Sequence, residues 1–123
     1  VTHSWLQRAL DFLHPARSGS KIQRSAQQQQ AADQAARQLV LYHFRTCPYC
    51  LRTRRAIDRL SIGIALRDIH LDATAYDELM VGGGRQTVPC LRIDEGARQT
   101  WLYESGDIIR YLEQRFIPRR GAA

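Results

Sequence analysis

The chain has 123 residues, the size of one ordinary domain, and its 44% hydrophobic and 24% charged residues make a globular rather than a disordered composition. The net charge of +6 comes from 18 basic residues, all arginine except Lys21, and residues 1–38 and 39–123 each carry +3. There is no basic arm and no interleaving of aromatics with arginines, so nucleic acid is not expected as a partner. No apolar stretch approaches the ~18 residues of a membrane span, and three cysteines without a recognised leader pattern fit a reducing, cytoplasmic setting better than an extracellular disulfide framework.

Residues 1–38 differ in texture from the rest and read as a helical or linker extension. Trp5, Leu6, Ala9, Leu10, Phe12 and Leu13 recur at helical spacings before Pro15 and Gly19, giving a short amphipathic helix. Residues 1–24 thus have the chemistry for a membrane-surface or partner contact, or for packing on the domain. Ser25 is placed to cap a second helix over Ala26 to Arg37, rich in Ala and Gln. Its apolar face is small, which predicts either a solvated spacer or a helix touching the domain along one edge.

The core domain is expected over residues 39–118, with a short tail at 119–123. Leu39 to Phe44 reads as a buried strand. A helix starts at Pro48, with Thr53, Ala56, Ile57 and Leu60 on one face, and Gly63 is the expected stop. Ile64 to His70 follows as a strand and Ala73 to Val81 as a short helix halted by Gly82-Gly83-Gly84. Cys90 to Ile93 and Thr100 to Tyr103 are strands separated by the turn Asp94-Glu95-Gly96. Ser105 is expected to cap a last helix with Ile108, Ile109, Leu112 and Phe116 on its apolar face. The order β-α-β-α-β-β-α, with a parallel first pair and a final hairpin, is that of an α/β, thioredoxin-like fold with a four-stranded mixed sheet.

The chemistry concentrates at Cys47-Pro48-Tyr49-Cys50, at the junction of the first strand and its helix. A nucleophilic cysteine must be a thiolate near neutral pH, and unpaired N–H groups and the positive end of a helix dipole favour that anion at Cys47. Cys50 lies one turn further on, near enough to resolve a mixed disulfide on Cys47. Arg45 adds positive charge nearby. A bare Cys-x-x-Cys is also half of a zinc knuckle, but Cys90 with His3, His14, His43 or His70 offers no knuckle spacing, so no metal is expected. Cys90 reads as a small core residue, with an approach to the active site as its alternative.

Thr87-Val88-Pro89, with Pro89 placed 42 residues after Cys47, together with the Cys-Pro-Tyr-Cys motif, resembles the glutaredoxins. Glu104-Ser105-Gly106-Asp107-Ile108 is more similar to the N-terminal domain of glutathione transferases, so the resemblance over about residues 39–117 is to glutaredoxins with a transferase-like domain. It implies a dithiol, glutathione-dependent oxidoreductase acting on glutathionylated or disulfide-containing proteins, with Cys47 and Cys50 catalytic. It also implies a cis Val88–Pro89 bond whose flanking backbone pairs with a peptide-like substrate. Glu104 and Ser105 would hold the γ-glutamyl end of glutathione. Arg45, Pro48, Tyr49 and Gln86 complete the implied glutathione site, with Arg85 or Gln86 for the glycine carboxylate, because Phe44 stands where glutaredoxins often have a basic residue. The chain ends where a transferase would start its all-helical second domain, which makes glutathione conjugation a secondary expectation. A non-enzymatic module holding zinc or an iron–sulfur cluster is a third, which the stiff Pro48 disfavours.

Overall fold

The computed structural model of the chain describes residues 21–118, so the expected helix around Trp5 to Leu13 and the 119–123 tail lie outside the described residues. The elements are α1 (Ala26–Ala36), β1 (Leu39–His43), α2 (Pro48–Arg59), β2 (Ala65–Asp68), α3 (Ala73–Glu78) running into a π-helical turn (Leu79–Gly83), β3 (Cys90–Glu95), β4 (Arg98–Tyr103) and α4 (Ser105–Phe116). From β1 onward the order is the expected thioredoxin-like one. The sheet has the order β2-β1-β3-β4, with β1 parallel to β2 and antiparallel to β3.

Alternation along the central strands builds two cores. All five residues of β1 are buried, because helices cover both faces of the sheet. Leu39 and Leu41 join Leu91 and Ile93 against Ile57, Leu60, Ile108, Leu112 and Phe116 of α2 and α4. Val40 and Tyr42 point the other way with Cys90 and Tyr103, onto Ile69, Ala75 and Leu79. Truncating a fully buried residue such as Leu41 or Leu91 to alanine costs about 2–5 kcal/mol by lost burial and cavity formation.

α1 takes the second of its two predicted roles and packs along one edge. Ser25 and Gln28 form a capping box at its start, and its small Ala32 and Ala36 let it approach until both are buried in the first core. The Arg24 guanidinium donates to the Phe116 carbonyl at 2.6 Å, and the Ile22 N–H donates to the Arg59 carbonyl at 2.9 Å. Gly63 is not the stop of α2. The left-handed residue after the helix is Ser61 (φ 57°), whose hydroxyl donates to the Ile22 carbonyl at 2.7 Å. A side chain that ties the segment leading into α1 to the turn after α2 therefore occupies a position where glycine is the usual choice.

The triple glycine is more than a helix stop. Gly84 takes the left-handed cap (φ 87°), but Gly82 and Gly83 lie within the π-helical turn. A Cβ on Gly82 would sit 2.0 Å from the Trp101 ring, and one on Gly83 would sit 2.2 Å from the Tyr103 hydroxyl oxygen. The missing side chains let this turn press flat onto β4. The hairpin also runs further than its apolar residues suggest, with polar pairs out to Glu95–Arg98.

Candidate active site

Strand register carries the three sequence motifs to one rim of the sheet. Tyr42 pairs with Cys90, and Cys90 pairs with Tyr103. The end of β1, the start of β3 and the end of β4 are therefore neighbours. Beyond those pairs come the loop to Cys47, the Val88-Pro89 approach to β3, and Glu104-Ser105 entering α4.

Cys47 is the N-cap of α2, in extended conformation (φ −72°, ψ 121°), and its sulfur accepts the Cys50 backbone N–H at 3.3 Å. Pro48 follows in the first turn, where its missing N–H is no loss. Cys47 and Cys50 are buried, whereas Arg45, Pro48 and Tyr49 are exposed. Burial, then the hydrogen bond with Cys47, pushes the Cys50 thiol up to about 12, against the opposing pull of the Phe44 N–H and the Arg54 charge. Cys50 thus stays protonated at neutral pH. All three cysteines are free thiols.

Arg54 and His43 complete this corner, and neither stood out in the sequence as part of a site. One Arg54 amino group lies 2.8 Å from His43 Nδ1 and the other donates to the Arg45 carbonyl at 3.2 Å. Arginine has only donors, so Nδ1 must accept and His43 is neutral. Burial, then the Arg54 charge, lowers its pKa below the ordinary histidine value, in agreement with that tautomer. Arg54 ties α2 to the loop that carries Cys47, and its charge reaches the Cys50 sulfur.

The Val88–Pro89 peptide is cis, with Pro89 buried and Val88 half-buried against the second core. Gln86 is exposed, and its side-chain oxygen accepts from the Tyr76 hydroxyl at 3.2 Å. The Arg85 guanidinium stacks 4.2 Å from the Tyr103 ring centre. The Tyr103 hydroxyl accepts the Arg85 N–H and donates to the Arg85 carbonyl, fixing this loop to β4. Cys90 is wholly buried in the core, and burial pushes its thiol up to about 11.

Ser105 is not the cap of α4. Glu104 holds that position, with φ 76° and ψ 117° and no side-chain capping bond, while Ser105 is the buried first residue of the helix. A non-glycine residue in such a conformation costs on the order of 1–3 kcal/mol, and strain of this kind concentrates at functional sites. Its outcome here is an exposed Glu104 carboxylate that is not used up by capping, beside the first N–H groups of a twelve-residue helix. Among the described residues, no group of three or more His, Cys, Asp or Glu side chains could hold a metal ion, and no helix is long and apolar enough to cross a membrane.

The chain belongs to the family of glutathione S-transferase N-terminal domains, whose sequence model matches residues 41–120. Among solved structures it is similar to an epsilon-class glutathione S-transferase from the housefly Musca domestica, with 22% identity, a TM-score of 0.51, and coverage of 63% of this chain and 35% of that one. It is similar as well to a glutathione transferase homologue from Drosophila mojavensis with bound glutathione (18% identity, TM-score 0.51, 64% and 35% covered). A third is maleylacetoacetate isomerase from Anaeromyxobacter dehalogenans with glutathione in its active site (23% identity, TM-score 0.50, 63% and 37% covered). These likenesses are of fold, and the chain spans about a third of the length of each. No match is found among curated protein sequences. The expected family is therefore met at the level of the transferase N-terminal domain rather than of glutaredoxins in particular.

Proposed function

We propose that this chain is a glutathione-dependent thiol–disulfide oxidoreductase built on a transferase-type domain, with Cys47 as nucleophile and Cys50 as resolving thiol. The observation that carries this reading is the difference between two buried sulfurs: that of Cys47 accepts an N–H at the start of α2, and that of Cys50 is held protonated. Cys47 attacks the S–S bond of a glutathionylated or disulfide-containing protein. A new S–S bond forms on Cys47, and the released protein thiolate takes a proton from solvent. Glutathione then attacks the mixed disulfide, or Cys50 loses its proton and does so. In the second case two glutathione molecules return the cysteine pair to the dithiol and leave as glutathione disulfide.

Glu104 pairs with the glutathione ammonium, and the Ser105 hydroxyl with the first α4 N–H groups takes the γ-glutamyl carboxylate. The Val88 backbone, lying outside the paired ladder, meets the cysteinyl peptide, with Pro89, Pro48 and Tyr49 around it. Arg85, Gln86 and Arg45 supply the polar end for the glycine carboxylate. Family membership supports glutathione as ligand and, taken alone, favours a second reading, conjugation of glutathione to an electrophile. Parallel assays with a glutathionylated peptide and with a chlorodinitrobenzene-type electrophile separate the two. Thiol exchange requires that Cys47→Ser abolish deglutathionylation and Cys50→Ser retain it; conjugation that survives Cys47→Ser, with no deglutathionylation by the unaltered chain, would establish the second.

A further inference from the structure

A groove of about 640 Å³ runs between α2 and α4, starting at Pro48 beside the nucleophile. Leu51, Ala56 and Ile109 give it apolar walls, and Arg52, Arg55, Arg59 and Arg110 line it. Arg59 pairs with Glu113, and Arg110 with Asp107. Arg52 and Arg55 are exposed and, among the described residues, have no ion-pair partner. Two uncompensated guanidinium groups three residues apart therefore project over a partly apolar trough whose lining reaches Pro48, the residue after Cys47. Nothing in the internal packing requires them there.

We propose that this groove binds an acidic, extended segment of a protein substrate next to the cysteine being reduced. The inference rests on the thiol-exchange reading and names its substrate class: proteins whose disulfide or glutathionylated cysteine is flanked on one side by Asp or Glu interspersed with an apolar residue. Pro48 to Arg59 spans about 16 Å of helix at ~1.5 Å per residue, room for about five residues of extended chain at ~3.3 Å each. The acidic residues thus belong within about five positions of the target cysteine. Small disulfides cannot reach along the groove, so Arg52 and Arg55 affect only protein or peptide substrates. Charge complementarity of this exposed kind acts through encounter and fades as salt shortens the Debye length.

The test compares a glutathionylated cysteine peptide bearing glutamates within about five residues of the cysteine with its glutamine counterpart and with the mixed disulfide of glutathione and free cysteine. The expected result is a kcat/KM about tenfold higher for the acidic peptide, corresponding to about 1.4 kcal/mol over two arginine contacts. Arg52→Gln with Arg55→Gln should erase that preference and leave turnover of the small disulfide unchanged, and the Glu pair should reverse it. Equal rates for the two peptides, or an unaltered preference in the double variant, overturns the proposal. Fluorescence anisotropy of a labelled, cysteine-free acidic peptide reads the groove without the chemistry. If no disulfide is turned over, binding that is lost in the double variant still locates the acidic ligand in the groove, and the thiol-exchange reading alone fails. Absent binding, or tighter binding of an oligonucleotide of equal charge, sinks the groove.

Discussion

The Cys50 backbone N–H donates to the Cys47 sulfur at 3.3 Å while the Cys50 thiol is itself sealed in the interior. Two cysteines separated by one helical turn therefore differ in their surroundings: the Cys47 sulfur accepts a helix-start N–H, and burial holds the proton on Cys50. Limited alkylation at pH 7–8 should label Cys47 first and leave Cys50 and Cys90 nearly unlabelled in the folded chain, as peptide mass mapping would read. Labelling of Cys50 at the rate of Cys47 would remove the basis for their separate roles.

Burial raises the thiols of Cys50 and Cys90 to about 12 and about 11, so the folded chain keeps protons that the unfolded chain loses from about pH 9 upward. In that window the unfolded state binds fewer protons, and stability falls with rising pH; below pH 9 this contribution is fully present. Denaturant titrations under reducing conditions between pH 8 and 11 should show the decline, and Cys90→Ala should make it shallower. An unchanged slope in that variant would contradict the assignment.

Glu104 occupies a conformation that glycine adopts freely. Glu104→Gly is expected to hold or raise thermal stability, by up to about 1 kcal/mol, while weakening glutathione capture about tenfold through loss of a charged pairing. Melting curves and glutathione titrations make the comparison. A variant less stable than the parent would mean that the side chain supports the fold rather than the ligand.

Gly82→Ala places a methyl group where the Trp101 ring already lies. Overpacking of this kind costs about 1–3 kcal/mol, and the ring cannot swing away without leaving Tyr42, whose ring centre is 5.4 Å from its own. Chemical denaturation should register the loss, whereas Gly63→Ala, with nothing within 4 Å of the added carbon, should change little.

Periodicity revealed most of the scaffold because burial imposes it. The unbroken Leu39 to His43 run and the Ile108, Leu112 and Phe116 stripe are each covered by other elements, and each was readable. The ends were less so. Arg98 and Gln99 belong to β4 although they are exposed and polar, because the hairpin ladder, not burial, holds them. Of the candidate site, Cys47 and Pro89 were legible through motif and spacing, and Glu104 through the resemblance of Glu104-Ser105 to transferase N-terminal domains. Arg54 did not: it is one of seventeen arginines, and only folding reveals that it reaches His43 and the Arg45 carbonyl together. Glu104 replaced Ser105 as the cap because backbone conformation, rather than side-chain preference, decides where α4 starts.

The clasp formed by Arg24, Ile22 and Ser61 joins α1 to the C-terminal ends of α2 and α4, whereas Cys47 and Glu104 stand at their N-terminal ends. Chain entering at residue 21 and leaving at residue 118 consequently passes the same corner, roughly 18 Å of helix away from the Cys47 sulfur. Whatever is joined at residue 21 or residue 118, whether a fluorophore, a tether or another folded unit, would be attached at the end of the molecule opposite the rim that carries Cys47 and Glu104.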